Sequence, residues 1–243
     1  MGATSAAVLE YGRAWMLAPS TAERAAELRL AKGFGFWTLE RAGVLGEVEA
    51  DVAAAAIRFM APAAVAAYWE QRPEGLSAFE IAHQYGLAAA AWGRKAAVSI
   101  DDGDLDRLAD LATKVASAAT SSTGMLFAGW RAMPQPEDSA GRVTVALQVL
   151  RDLRGGAHLS AAHAAGLGPH GAIMSVDDPV RGGADGAERF GWDSPHPESD
   201  TVARAFAEEL TTTICAPAYD ALDEEEGEAF VELMLALHAV ACK

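Results

Sequence analysis

A chain of 243 residues, 51% hydrophobic and 22% charged, suits one compact domain or two small ones and is too apolar to be disordered. Its 34 acids against 19 bases leave a formal charge of −15, which repels phosphates over a Debye length and excludes a general affinity for nucleic acid. Alanine dominates and Asn is absent, a composition that favours helix.

The elements follow in chain order. Ser20-Thr21-Ala22-Glu23 fits a capping box and predicts a helix running toward Ala31, and on to Arg41 past Gly33 and Gly35. Residues 47–59 and 63–71 read as helices, with Pro62 as a first-turn residue at their junction. A second capping box, Ser77-Ala78-Phe79-Glu80, opens a long helix whose Ile81, Tyr85, Ala89 and Trp92 share one face. Leu105, Leu108, Leu111 and Val115 form another stripe after the acidic run 101–106, which suits a helix N-terminus. Pro134-Gln135-Pro136-Glu137-Asp138 predicts a turn, after which Val143, Leu147 and Leu150 resume helical spacing. Residues 177–197, rich in Gly and Pro, predict a long irregular segment pinned by Phe190 and Trp192, either a surface loop or a packed flap. Val202, Phe206 and Leu210, then Phe230, Leu233, Met234 and Leu237, close the pattern. No window alternates as a strand does, so the class is all-α. The expected architecture is a multi-helix bundle with an N-terminal helical region, 1–133, and a C-terminal one, 138–243, forming one compact unit.

Several motifs fail on context. Gly166-Leu167-Gly168-Pro169-His170-Gly171 matches G-x-G-x-x-G but has no preceding strand, so it reads as a helix end capped by a left-handed Gly. Asp102, Asp104 and Asp106 alternate as in a calcium loop, yet Arg107 and Thr113 stand where Gly and a bidentate carboxylate belong. Cys215 and Cys242 are isolated, no metal site is visible, and no cofactor can be named. The absence of a signal peptide or of about 18 consecutive apolar residues predicts a soluble cytoplasmic protein without a membrane partner.

The candidate site is the segment around Arg151, Arg154, Gly155, Gly156 and His158. The two arginines can take a carboxylate or phosphate in bidentate fashion. Gly155 and Gly156 let backbone approach another group, and a helix starting near Ala157 would offer unpaired N–H donors. His158 is then a candidate general acid, base or hydrogen-bond donor. The competing reading is a satisfied buried histidine at a helix junction, with the arginines paired to Asp152 or other acids.

The same segment, Leu150-Arg151-Asp152-Leu153-Arg154-Gly155-Gly156-Ala157-His158, resembles the L-R-x-x-R-G-D-G-H signature of an actinobacterial family of helix-turn-helix-like all-α proteins. A weaker likeness runs from Gly33-Phe34-Gly35-Phe36-Trp37 to Ala165-Gly166-Leu167. The resemblance implies an all-α fold whose C-terminal part is of winged-helix type, and this chain is a divergent member. Its G-D-G-H reads Gly155-Gly156-Ala157-His158, and an N-F-H-P-like motif reads Phe59-Met60-Ala61-Pro62. In place of a W-x-x-E-x-W helix stands Trp192-Asp193-Ser194-Pro195-His196-Pro197, and residues 198–243 hold eleven acids against two bases. The C-terminal module is therefore expected to be degenerate and unable to collect phosphates.

On these grounds the sequence reads as a small-molecule-binding helical protein. Phe36, Trp37, Phe127 and Trp130 would line an apolar pocket, with His158 and an arginine as polar anchors and no nucleic-acid partner. An enzyme of specialised metabolism using His158, and an acidic protein-interaction module, are the alternatives; a homodimer is expected in any of the three.

Overall fold

The computed structural model describes residues 2–30, 34–178 and 182–242, and every regular element among them is helical. In chain order these are α1 Gly2–Met16, α2 Pro19–Glu27, α3 Phe34–Gly43, α4 Ala50–Ile57, α5 Pro62–Glu70, α6 Ala78–Ala96 and α7 Asp102–Ala118. A short 3-10 turn, Ser121–Thr123, leads into α8 Met125–Arg131. There follow α9 Ser139–Ala164, α10 Pro169–Met174, α11 Gly183–Arg189, α12 Thr201–Tyr219 and α13 Glu224–Ala241.

Helix starts follow local chemistry where a side chain can reach an orphan amide. Ser77 opens α6 with a complete capping box, and Asp101 accepts from the Gly103 amide at the head of α7. Pro62 takes the first turn of α5, as its missing N–H allows. The box at Ser20 does not form: α2 begins at Pro19, and Thr21 Oγ1 donates instead to the Trp15 carbonyl at 2.6 Å. That helix stops at Glu27, where Arg29 adopts φ 57°, so the expected run to Arg41 is two helices. Ala31, Gly33 and Pro179 lie outside the described residues. The segment 177–197 is also more regular than expected, since it contains α11.

The longest helix, α9, organises the molecule. Buried residues occur all round it, which marks a helix enclosed by others rather than one resting on a surface. It packs against α1, α6, α7, α8 and α12, and one apolar core runs from Ala7 to Leu237. α9 passes unbroken through Gly155 and Gly156, so no helix begins near Ala157. Two mid-helix glycines cost about 1 kcal/mol each relative to Ala, but Gly156 lets the 123–124 backbone come so close that a Cβ would lie 2.3 Å from the Thr123 carbonyl oxygen. α9 ends at Ala164, and Gly166 just beyond it has the expected left-handed φ of 82°. The C-terminal part keeps a helix–turn–helix course in α12 and α13, with no strand among the described residues to make a wing.

Candidate functional site

The structure separates the residues that the sequence groups together. Arg154 reaches Glu208 on α12 at 2.5 Å, and the same carboxylate takes Arg204 at 2.5 Å. His158 Nδ1 lies 2.8 Å from Thr211 Oγ1, whose own hydroxyl donates to the Ala207 carbonyl. The threonine oxygen therefore accepts from Nδ1–H, which leaves Nε2 as the bare nitrogen, 4.0 Å from Glu208. Burial, reinforced by the positive charges of Arg204, Arg154 and Arg58, pulls the His158 pKa down to about 4 despite Glu208. This histidine is neutral and seats α12 on α9.

The four aromatics are dispersed through the core. Phe36, Phe127 and Trp130 are buried; Phe36 packs edge-on to Tyr85, and Tyr85 is tilted against Trp130. Trp37 is half-buried beneath the Arg41 guanidinium, 4.7 Å from its ring centre. A cavity of about 420 Å³ does open between α1, α9, α12 and α13, but Leu9, Leu150, Arg154, Cys215, Tyr219 and Phe230 help to line it and none of those four rings does.

Arg151 belongs elsewhere, in a cluster of charges at the centre of the fold. Asp152, fully buried, accepts from Arg41 of α3, from Arg58 at 2.6 Å and from Gln148 at 2.7 Å. Burial alone would raise its pKa, yet Arg41, Arg58 and Arg151 outweigh that and hold it below the usual carboxylate range. Burial and mutual repulsion lower Arg58 and Arg151 to about 10, so both remain cationic at neutral pH. Glu40 lies fully buried in α3, and burial pushes its pKa well up. Gly155 makes room for Arg58, since a Cβ there would stand 1.9 Å from a guanidinium nitrogen. Asp152 and Gly155 thus meet Arg41 of α3 and Arg58 at the end of α4, which no local motif announced, while Arg151 lies buried among the same charges. The one available signal was arginine and glutamate at otherwise apolar positions of α3 and at the end of α4.

What this cluster holds is the short turn between α4 and α5. Arg58 has φ 80° and ψ −81°, and the Phe59 amide donates to the Ile57 carbonyl at 3.1 Å. That is a γ-turn of the rare, strained kind, which persists only where its surroundings over-determine it. Here Arg58 is fixed through Nε to the Ala56 carbonyl and through its guanidinium to Asp152. α4 and α5 pack on each other and α3 packs on both. Ile57, Met60, Val65 and Trp69 are buried beneath them, and Trp69 Nε1 donates to the Val48 carbonyl at 2.8 Å. Residues 62–69 carry no charged side chain, and Pro62, Ala63 and Ala67 face solvent.

An eight-residue helix, a turn over residues 58–61 and a nine-residue helix, backed by a third, have the dimensions of a helix-turn-helix unit. Among the described residues no helix is long and apolar enough to cross a membrane, and no group of three acidic, His or Cys side chains could hold a metal ion. No curated protein and no solved structure matches the chain. A family model described as a helix-turn-helix family matches residues 2–243. This match overturns the small-molecule-binding reading and its alternatives, and with them the exclusion of nucleic acid drawn from charge. The physical reason lies in scale: −15 sums the whole surface, whereas the outward face of residues 62–69 carries no charge. With that match spanning all but the first residue, the chain belongs to the helix-turn-helix family.

Proposed function

We propose that the protein is a DNA-binding regulator that presents α5 to the major groove. The observation that carries this reading is the α4–turn–α5 unit, held in a strained turn by Asp152, in a chain of this family. A major groove about 12 Å wide admits one helix about 10–12 Å across. Ala63 and Ala67 suit contact with thymine methyl groups, and the Tyr68 hydroxyl is a polar reader on the same helix. The long helix pair, α12–α13, is acid-rich and unsuited to phosphate. The likeness of residues 150–158 to L-R-x-x-R-G-D-G-H, the actinobacterial origin it implies and a cytoplasmic site of action belong to the same proposal. So does a homodimer, which would set two α5 helices on half-sites about one helical turn apart.

Few cations stand near α5: Arg72 lies over the Trp69 ring and pairs with Glu47 at 2.8 Å. Binding therefore releases few counterions, and the slope of log K against log salt should be shallow, about −1 to −2. The test is selection from a randomised duplex pool, followed by anisotropy titration across a salt series. Enrichment of one sequence with a shallow slope is expected. No enriched sequence, or a steep slope with equal affinity for all duplexes, overturns the proposal.

A further inference from the structure

The segment 190–197 lies directly on the helix that the proposed function sends into DNA. The Phe190 carbonyl accepts from the amide of Ala61, the residue that caps α5, at 2.9 Å. Trp192 Nε1 donates to the Phe59 carbonyl inside the γ-turn at 2.9 Å. Between them the Gly191 backbone sits against α5, close enough that a Cβ there would be 2.5 Å from the Ala64 Cβ. The Phe190 ring meets Trp37 of α3 edge-on, with centres 6.4 Å apart. On its far side the segment is held by α10: the Trp192 ring stacks on His170 at 4.6 Å, and His170 Nε2 lies 2.9 Å from His196 Nδ1. Gly191, Asp193, Ser194, Pro195 and Pro197 face solvent, so residues 191–197 can lift about Phe190, which itself packs on the core.

We infer that residues 190–197 form an autoinhibitory strap, which must leave the first turn of α5 before that helix can enter a major groove. The inference rests on the reading of α5 as the DNA-contacting helix. Its physical basis is width. A groove about 12 Å wide takes a helix of about 10–12 Å, and leaves no space for a second stretch of backbone packed beside the first turn. In helix-turn-helix complexes the N-terminal residues of the second helix make the base contacts. In this chain the strap packs on Ala61 and Ala64 at that end, beside the solvent-facing Pro62 and Ala63, where the wall of the groove would have to pass. The observed structure is therefore the closed form, and only the fraction with the strap lifted is competent to bind. Apparent affinity is reduced by that fraction.

The test uses the full-length protein, a duplex enriched from a randomised pool, and the variants Trp192→Ala and His170→Ala. Both remove the stack that holds the strap to α10, and neither residue lies on α3, α4 or α5. Thermal melts establish that each variant is folded; His170→Ala, which keeps the tryptophan, carries the comparison if Trp192→Ala is not. The expected result is binding tighter by about tenfold or more, as follows when a closed form is populated about 90% or above. Hydrogen exchange at Ala61 should accelerate in the same variants. If wild type binds its duplex and the folded variants bind equally or more weakly, the strap is a brace, and the inference falls while the DNA reading stands. If neither wild type nor the variants enrich any duplex, the DNA reading itself fails and takes the strap with it.

Discussion

The helix pairs α4–α5 and α12–α13 are joined by turns of equal length, and they differ in helix length, local charge and bracing. α4 and α5, of 8 and 9 residues, meet through residues 58–61; α12 and α13, of 19 and 18 residues, meet through 220–223. The second turn is conventional: Asp223 and Glu226 form a complete capping box, and acids crowd the first turn of α13. The first turn has no such local support. Its γ-turn is imposed from α9, by an aspartate on which two arginines converge. The short pair's turn is thus set by the interior of the protein, whereas the long pair's turn is specified by its own sequence. Equal turn length does not make the two pairs equivalent. Length, local charge and bracing separate the two.

The largest effect should come from removing the brace. Asp152→Asn leaves the neighbouring guanidiniums buried without a counter-charge and should cost about 3–5 kcal/mol, measured by urea unfolding. If the α4–α5 turn were locally specified, as the α13 cap is, the loss would be under about 1 kcal/mol. The second effect is pH-dependent and falls on the long pair. His158 titrates at about 4 in the fold and near ~6.5 in the unfolded chain. A histidine with a depressed folded pKa contributes stability that is fully present above about pH 6.5 and is lost as pH falls toward 4. The loss should approach, at most, about 1.4 kcal/mol per pH unit in that window, and His158→Gln should flatten it. Hydrogen exchange at pH 5 should open α12 first; earlier opening of α5 would reverse the comparison. The smallest effect is Asp223→Ala, which removes the α13 cap at a cost of about 1 kcal/mol and should leave DNA affinity unchanged in the anisotropy titration.

Much of the fold was legible because helix formation here is local. The spacing of Ile81, Tyr85, Ala89 and Trp92, the box at Ser77 and the proline at position 62 each marked a helix that the structure contains. α1 gave no such signal and was missed, although Tyr11 and Trp15 are among its most buried residues. The site was much less legible. Gly155 and Gly156 looked like a break, yet they serve contacts with Arg58 and with the 123–124 backbone that lie far away in sequence. His158 could be read either as an acid or base or as a buried structural histidine, because its partner Thr211 is 53 residues on and the burial that keeps it neutral is not visible locally. Arg41 and Arg58 carried no motif at all, because what makes them matter is an aspartate on another helix. Net charge, the first quantity read, misled for a related reason: it averages over faces that act separately.

The γ-turn at Arg58 has a consequence for how this chain can vary. A turn made from its own residues can be rewritten locally, as the Asp223 cap can, by another capping residue. The aim of α5 is instead inherited from α9, since the residue that fixes Arg58 stands 94 positions later in the chain. Changes in α9 that preserve its packing can therefore redirect α5 without touching it. A substitution in the turn can be accepted only together with its distant counterpart. Glycine at position 58 would relax the backbone and forfeit the tether, while lysine would keep a charge but lose the planar fork that serves Ala56 and Asp152 together. Arg58 and Asp152 should accordingly drift as one unit, whatever residues α5 exposes.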